Sequence, residues 1–267
     1  MNSDDYSFRF GGIERLYGQR ASAAFRQSHI AVAGLGGVGS WAAEALARSG
    51  IGTITLIDMD DVCVSNTNRQ LHALESQYGR TKTDAVAERL RAINPQADIR
   101  IYFGFVTVSN VSGLITPDMD GVVDAIDSAK SKAALIAHCR RSKIPLVVAG
   151  GAGGQTDPTR IEVADLSRTT QDPLLARIRN LLRREYGFSR NPKRRFGVEA
   201  VYSTEQLVYP AADGEVCHQK PDTAGPVRLD CATGFGASSP VTASFGFIAA
   251  SRLINRIARK ATAPEPR

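Results

Sequence analysis

Cysteine is scarce in this 267-residue chain: Cys63, Cys139, Cys217 and Cys231 are the only four, and no two form a CxxC pair. That spacing excludes a structural zinc site of the usual kind. Four cysteines are also too few for a disulfide framework in so long a chain, so a reducing compartment is expected. Long apolar runs are missing too. The longest, residues 241–250, is about half the roughly 20 residues a membrane helix needs and contains Thr242, Ser244 and Gly246. No membrane insertion is expected. Residues 1–9 carry Asp4 and Asp5 with no apolar stretch behind them, unlike a secretory signal, and the cytoplasm is the expected location. Neither charge sign dominates: 33 Lys and Arg against 27 Asp and Glu leave a net charge of +6, a basic lean that admits a nucleic-acid partner without requiring one.

What the chain does have is alternation. Residues 29–33 (HIAVA) are a short apolar run entering the glycine cluster Gly34-Leu35-Gly36-Gly37-Val38-Gly39, followed by a helical stretch at 40–49 that Gly50 and Gly52 stop. Residues 53–57 (TITLI) read as a second buried strand ending at Asp58, which makes a βαβ unit. Further strands are expected at 99–103, 121–126 and 145–149, and helices at 82–93 and 130–141. The expected fold is α/β, a Rossmann-type, doubly wound, mostly parallel sheet. After Gly150 the pattern changes to a polar helix-and-loop stretch near 171–195, a β-like segment at 198–208 and a final helix at 241–257. That part reads as a C-terminal extension of mixed strands and a last helix, with no linker that would cut the chain into independent domains.

The glycine cluster lets a backbone turn tightly and approach a phosphate at a helix N-terminus, and Asp58 stands where a carboxylate grips a ribose hydroxyl. Nicotinamide- and flavin-dependent enzymes share both features. The run Asp58-Met59-Asp60-Asp61-Val62-Cys63-Val64-Ser65-Asn66-Thr67-Asn68-Arg69-Gln70 goes further, setting Asn66, Asn68 and Arg69 past the strand end, where a third phosphate could be held. Lys82 opens the next helix, a poor place for a cation unless it serves an anion. Asp124 and Asp127 close the fourth strand, with Ser128 expected to cap the next helix. Asp127 is placed either to hold magnesium against phosphate oxygens or to act as an N-cap.

Together these residues resemble the ubiquitin-activating-enzyme-like adenylyltransferases, whose motifs are a GxGGxG turn, a DxDxVxxSNxxRQ stretch, a lysine on the following helix and an aspartate after the fourth strand. The resemblance implies a carboxylate attacking the α-phosphate of ATP to give an acyl-adenylate and pyrophosphate. It implies ATP contacts from Gly34, Gly36, Gly37, Gly39, Asp58, Asp60, Ser65, Asn66, Arg69, Lys82, Asp127 and Ser128. Arg69 and Lys82 would neutralise the phosphates and Asp127 would hold Mg. Arg15 is the candidate arginine reaching ATP from a neighbouring subunit of a homodimer, with Arg9 competing. Three further stretches, residues 9–18, 150–158 and 230–237, are similar to the branch of that family that dehydrates threonylcarbamoyladenosine in tRNA. That similarity runs nearly end to end. It implies one adenylation domain over residues 1–267, with a nucleotide-binding core at 1–150 and a crossover and substrate-binding part at 151–267. The alternative within the family activates the C-terminus of a ubiquitin-like sulfur carrier. Against it stand the missing zinc pairs and the absence of any cysteine at 152–195 that could take a thioester.

Arg183, Arg184, Arg194 and Arg195 lie in the densest cationic stretch and read either as a solvated face or as a tRNA-binding surface, with Phe188 and Phe196 interleaved. Cys231 reads either as an inert buried cysteine or as a reactive thiol that takes sulfur from a cysteine desulfurase partner. Cys63 and Cys139 are expected in the core, and His72 and His138 in structural roles.

Overall fold

The protein is described from a computed structural model that covers residues 3–211, 213–219 and 235–263. The chain begins with helices α1 (Ser3–Tyr17) and α2 (Gln19–Gln27), then alternates β1 (His29–Ala33), α3 (Gly39–Arg48), β2 (Thr53–Asp58), α4 (Lys82–Ile93), β3 (Asp98–Phe103), α5 (Val111–Leu114), β4 (Gly121–Asp124), α6 (Ala129–Ser142) and β5 (Leu146–Ala149). It continues through β6 (Ile161–Asp165), α7 (Pro173–Glu185), β7 (Glu199–Ser203), the short pair β8 (Tyr209–Pro210) and β9 (Val216–Cys217), and α8 (Ser239–Thr262). Seven strands form one sheet in the order β3-β2-β1-β4-β5-β7-β6, parallel throughout except that β6 runs antiparallel to β7. The strand order reverses between β1 and β4, and in such sheets the crevice at that point, beyond the carboxyl ends of the strands, is where ligands bind.

The sheet is covered on both sides, which is why its central strands are buried and mostly apolar. β1 is buried at all five positions: Ile30 and Val32 pack with α2, α3, α4 and α8, while Ala31 and Ala33 pack with α6 and α7. α3 contributes Ala42, Ala43, Leu46 and Ala47, and its alanines let α8 lie close. Gly246 of α8 marks the closest approach, since a methyl group there would lie 2.5 Å from the Val38 carbonyl oxygen. On the opposite side α7 buries Leu175, Ile178 and Leu182, spaced three and four apart. Each such leucine or isoleucine, fully buried, stabilises the fold by roughly 1.5–3 kcal/mol.

Several sequence expectations change. β4 stops at Asp124 rather than 126, because the Asp124 carboxylate accepts the Ile126 N–H at 3.1 Å and turns the chain. The β-like segment at 198–208 supplies only β7, since Ser203 Oγ accepts the Glu205 N–H at 3.0 Å and Glu205 turns away to the Thr156 and Asp157 N–H groups. Ser128 stands at the N-cap position of α6, but its side chain makes no capping bond. Cys139 is buried as expected, whereas Cys63 is exposed on the loop after β2. Helix α1 forms despite Gly11 and Gly12 because Tyr6 and Phe10 are buried against Gly50, with Tyr6 OH donating to the Gly50 carbonyl at 2.6 Å.

Candidate nucleotide-binding site

The loop from β1 to α3 crosses the end of β4. Gly34 has φ +87°, and a methyl group on it would lie 2.7 Å from the Ala125 carbonyl oxygen; one on Gly39 would lie 1.7 Å from the Gly34 carbonyl oxygen. Only glycine permits this turn, which points the first amides of α3 into the crevice. Buried Asp58 locks the loop to the end of β2, accepting the Leu35 N–H on Oδ2 at 2.6 Å and the Asp60 N–H on Oδ1 at 2.8 Å. Gly36 and Gly37 form the middle of the loop, and the Arg69 side-chain stem lies 3.2 Å from where a Gly37 methyl would stand.

Lys82 finds its anion within the chain. The helix-start position that makes the residue unfavourable locally places Nζ 2.7 Å from Asp60 Oδ2, with the lysine almost buried and the carboxylate half exposed. Arg69 Nη1 donates to the Ser65 carbonyl and to Asn68 Oδ1 at 2.9 and 2.8 Å, so the guanidinium is held over its own loop. Asn66 faces inward: its Oδ1 accepts the Cys63 N–H at 3.1 Å and the residue is buried, so this side chain closes the short helical turn at Val64–Asn66. Ser65 is exposed, and Asn68 Nδ2 donates to the Ala237 carbonyl at 2.7 Å, joining the loop to the segment before α8. Asp127 is exposed past the end of β4 and makes no ion pair within 4.0 Å among the described residues.

Three residues that the sequence reading passed over or set aside as structural belong to this neighbourhood. Lys132, fully buried in the first turns of α6, donates to Asp124 Oδ1 at 2.8 Å and to the Asp124 and Ile126 carbonyls at 3.0 and 2.9 Å. It therefore fixes the loop that carries Asp127. Gln70 is buried beneath Gly36, and its Oε1 has no hydrogen-bond partner among the described residues. His72 is buried with both ring nitrogens unpartnered; burial, reinforced by the Lys82 ammonium, lowers its pKa to about 4. Burial also pushes the Cys139 thiol up to about 12, with the Asp124 carboxylate adding to the effect, which makes that thiol inert. A lysine eight residues past a strand-end aspartate was the available signal for the Asp124–Lys132 pair.

Arg15 lies elsewhere. Tyr6 and Phe10 anchor α1 beside Gly50, at the far end of α3 from the glycine loop, and the Arg15 guanidinium folds back over Gly11 and Gly12. Arg9 donates to the Ile93 carbonyl at 3.2 Å, also at that far end. Arg184 is exposed and paired with Glu185 at 2.6 Å, Arg183 lies 5.4 Å over the Phe196 ring, and Arg194 and Arg195 are exposed. Phe188 and Phe196 pack edge to face at 5.0 Å, with Phe196 buried, so that pair belongs largely to the core. Cys231 and its neighbours 230–234 lie outside the described residues.

Comparison with known proteins agrees with this geometry. The chain is 56% identical over 259 residues to the tRNA threonylcarbamoyladenosine dehydratase of Escherichia coli (strain K12), covering 97% of each protein. It is 51% identical over 257 residues to the enzyme of that name from Haemophilus influenzae, covering 96% of each. The crystal structure of the E. coli dehydratase in complex with ATP superimposes with a TM-score of 0.87 at 51% identity, covering 98% of both chains. A profile described as the ThiF family matches residues 12–267, and with the glycine loop, Asp58 and Lys82 meeting at the switch point of the sheet, the chain belongs to the ThiF family.

Proposed function

We propose that this chain is an ATP-dependent enzyme that dehydrates N6-threonylcarbamoyladenosine, beside the anticodon of tRNA, to its cyclic form. The observation that carries the reading is one crevice at which the glycine loop, Asp58, Arg69, Lys82 and exposed Asp127 come together, in a chain similar from end to end to dehydratases of that name. A carboxylate oxygen of the threonyl group attacks the α-phosphorus, and the bond to pyrophosphate breaks. The carbamoyl nitrogen attached to the adenine then attacks the acyl carbon to close a five-membered ring, loses its proton to solvent, and AMP departs with the carboxylate oxygen. The net change in the RNA is loss of one water.

In this reading the amides at the start of α3 and the Asp58 carboxylate hold the nucleotide, with Gly34, Gly36, Gly37 and Gly39 giving the backbone room. Lys82 and Arg69 neutralise charge that grows on the phosphates; Asp60, Ser65, Asn66 and Ser128 shape the surrounding wall. Asp127 suits a magnesium ion carried mainly by phosphate oxygens and water, because it is one free carboxylate and no cluster of three or more His, Cys, Asp or Glu lies among the described residues. That ion, when bound with ATP, supplies positive charge against the phosphates. Arg15, anchored far from its own glycine loop, completes the crevice of a second copy in a homodimer. Residues 1–150 carry the nucleotide site and 151–267 form the crossover and substrate-binding part, with Arg183, Arg184, Arg194 and Arg195 on the tRNA-facing side. The direct ring closure needs no cysteine, so Cys231 and a cysteine desulfurase have no required step, and a tRNA substrate with free Cys63, Cys139 and Cys217 fits the cytoplasm.

Incubation with ATP, Mg and tRNA carrying the modification, followed by nucleoside mass spectrometry, is the test. One water lost per AMP formed is the expected result. Pyrophosphate exchange that responds to a protein ending in Gly-Gly but not to tRNA would overturn the reading in favour of a sulfur-carrier activator.

A further inference from the structure

Helix α6 starts beside Asp127 and α7 starts at Asp172, whose carboxylate accepts the Gly151 N–H at 2.9 Å next to the end of β5. With 14 and 13 residues the two helices carry the chain about 20 Å away from the nucleotide edge. Between their far ends is a concave notch of about 290 Å³ whose walls include Arg140, Arg141 and Arg195 together with Tyr186, Phe188 and Phe196.

We propose that this notch is a second RNA contact, a subsite for the phosphodiester backbone formed by Arg140 and Arg141 of α6 with Arg195. The proposal rests on the reading of tRNA as substrate and adds residues far in sequence from the basic stretch at 183–195. Its first support is convergence. Three arginines line one concavity, and among the described residues Arg140, Arg141 and Arg195 meet no carboxylate within 4.0 Å and donate no hydrogen bond. Three like charges gathered on one concavity repel each other, so the arrangement favours an external anion.

The second support is preorganisation. Gly197 has φ +68°, and a methyl group there would stand 3.1 Å from Arg140 Nη2, so the absent side chain is what lets the guanidinium lie against the backbone. Arg183 is held over Phe196, and Phe188 braces Phe196, which stiffens the wall beside Arg195. Planar guanidiniums fixed this way match phosphate oxygens. Continuity favours RNA over an acidic peptide: exposed Arg177 on α7 lies between the notch and the nucleotide edge.

The test is tRNA binding to the full chain across a salt series. Arg140→Ala/Arg141→Ala should reduce the log–log salt slope by about 1.4–1.8, two contacts at 0.7–0.9 each. Affinity for ATP, measured by titration calorimetry, should be unchanged. Both arginines are exposed and bond nothing, so the melting temperature should hold; Arg140→Lys/Arg141→Lys should keep the slope. Arg256→Ala/Arg259→Ala, an equal charge loss on exposed positions of α8, should also keep it. A wild-type slope in the α6 double variant, or an equal flattening from the α8 pair, overturns the subsite. Equal binding of a polyglutamate peptide, lost in the same variant, would assign the notch to an acidic protein instead. A chain that binds no tRNA at all would sink the functional reading itself, which the wild-type measurement reveals first.

Discussion

At the nucleotide edge of the sheet the charged groups, exposed Asp127 apart, are matched from within. Lys82 is 2.7 Å from Asp60, Lys132 is 2.8 Å from Asp124, and Asp58 is held by two backbone N–H groups. At the far ends of α6 and α7, Arg140, Arg141 and Arg195 face a notch with no carboxylate partner among the described residues. The two regions handle anions differently. Phosphates in the crevice meet groups already fixed in a low-dielectric setting, where positioning decides the rate. Phosphates at the notch meet solvated cations, where counterion release decides affinity. Substitutions at the first should therefore change turnover or stability, and substitutions at the second should change salt dependence.

The largest effect is expected from Asp127→Ala, which should abolish ATP- and Mg-dependent turnover while leaving the melting temperature near wild type, because this carboxylate is exposed. A purified variant that kept substantial activity would remove Asp127 from the metal site. Next comes Lys132→Ala, which strands a buried Asp124 carboxylate and should cost about 3–5 kcal/mol of stability by denaturant unfolding. A loss below 1 kcal/mol would mean the pair is not matched internally, and the comparison between the two regions would fail on its first side.

Lys82→Ala and Arg69→Ala should each slow turnover about a hundredfold or more while ATP binding persists by calorimetry, since the glycine loop and Asp58 remain. Near-normal rates in both would move the phosphates elsewhere. His72 gives a smaller, pH-dependent effect. Its folded pKa, about 4, lies below the ordinary value of 6.5, so the unfolded chain takes up the proton first as pH falls. Stability from this group is complete above pH 6.5 and is lost on going down toward 4, by roughly 2 kcal/mol between pH 8 and pH 5. His72→Gln should flatten that acid limb in unfolding curves, and an unaltered limb would show that His72 is not the group responsible. The smallest effect on chemistry is expected from Arg183, Arg184, Arg194 and Arg195 neutralised together. Their loss should raise the apparent KM for tRNA and flatten its salt slope while the KM for ATP stays nearly constant. An unchanged slope would return those four to a solvated face.

Much of the nucleotide side was legible because its signals are local. A strand buried on both faces reads as a mostly apolar, β-branched run, and residues 29–33 and 53–57 do so, with His29, Thr53 and Thr55 the polar members. A turn in which a methyl group would overlap a carbonyl oxygen has to be written in glycine, so Gly34 and Gly39 identify themselves. Helix α4 spans the residues its spacing indicated, ended by Asn94-Pro95, and the structure adds Thr81 as its N-cap. Helix α1 was not legible: each of Gly11 and Gly12 costs a helix about 1 kcal/mol, and the compensation comes from Tyr6 and Phe10 packing on Gly50, some forty residues away.

By itself, then, the sequence determined the alternating elements, the glycine turn, and the group of acids and cations at the strand ends, because periodicity and sterics act over a few residues. Tertiary structure decided the rest. It sank Lys132 against Asp124, left Cys63 exposed, turned Asn66 inward to close its own turn, and set Arg140 and Arg141 beside Arg195. Each of these depends on which distant groups share a low-dielectric interior or a concave surface, and burial and charge pairing are properties of the assembled chain, not of any stretch within it.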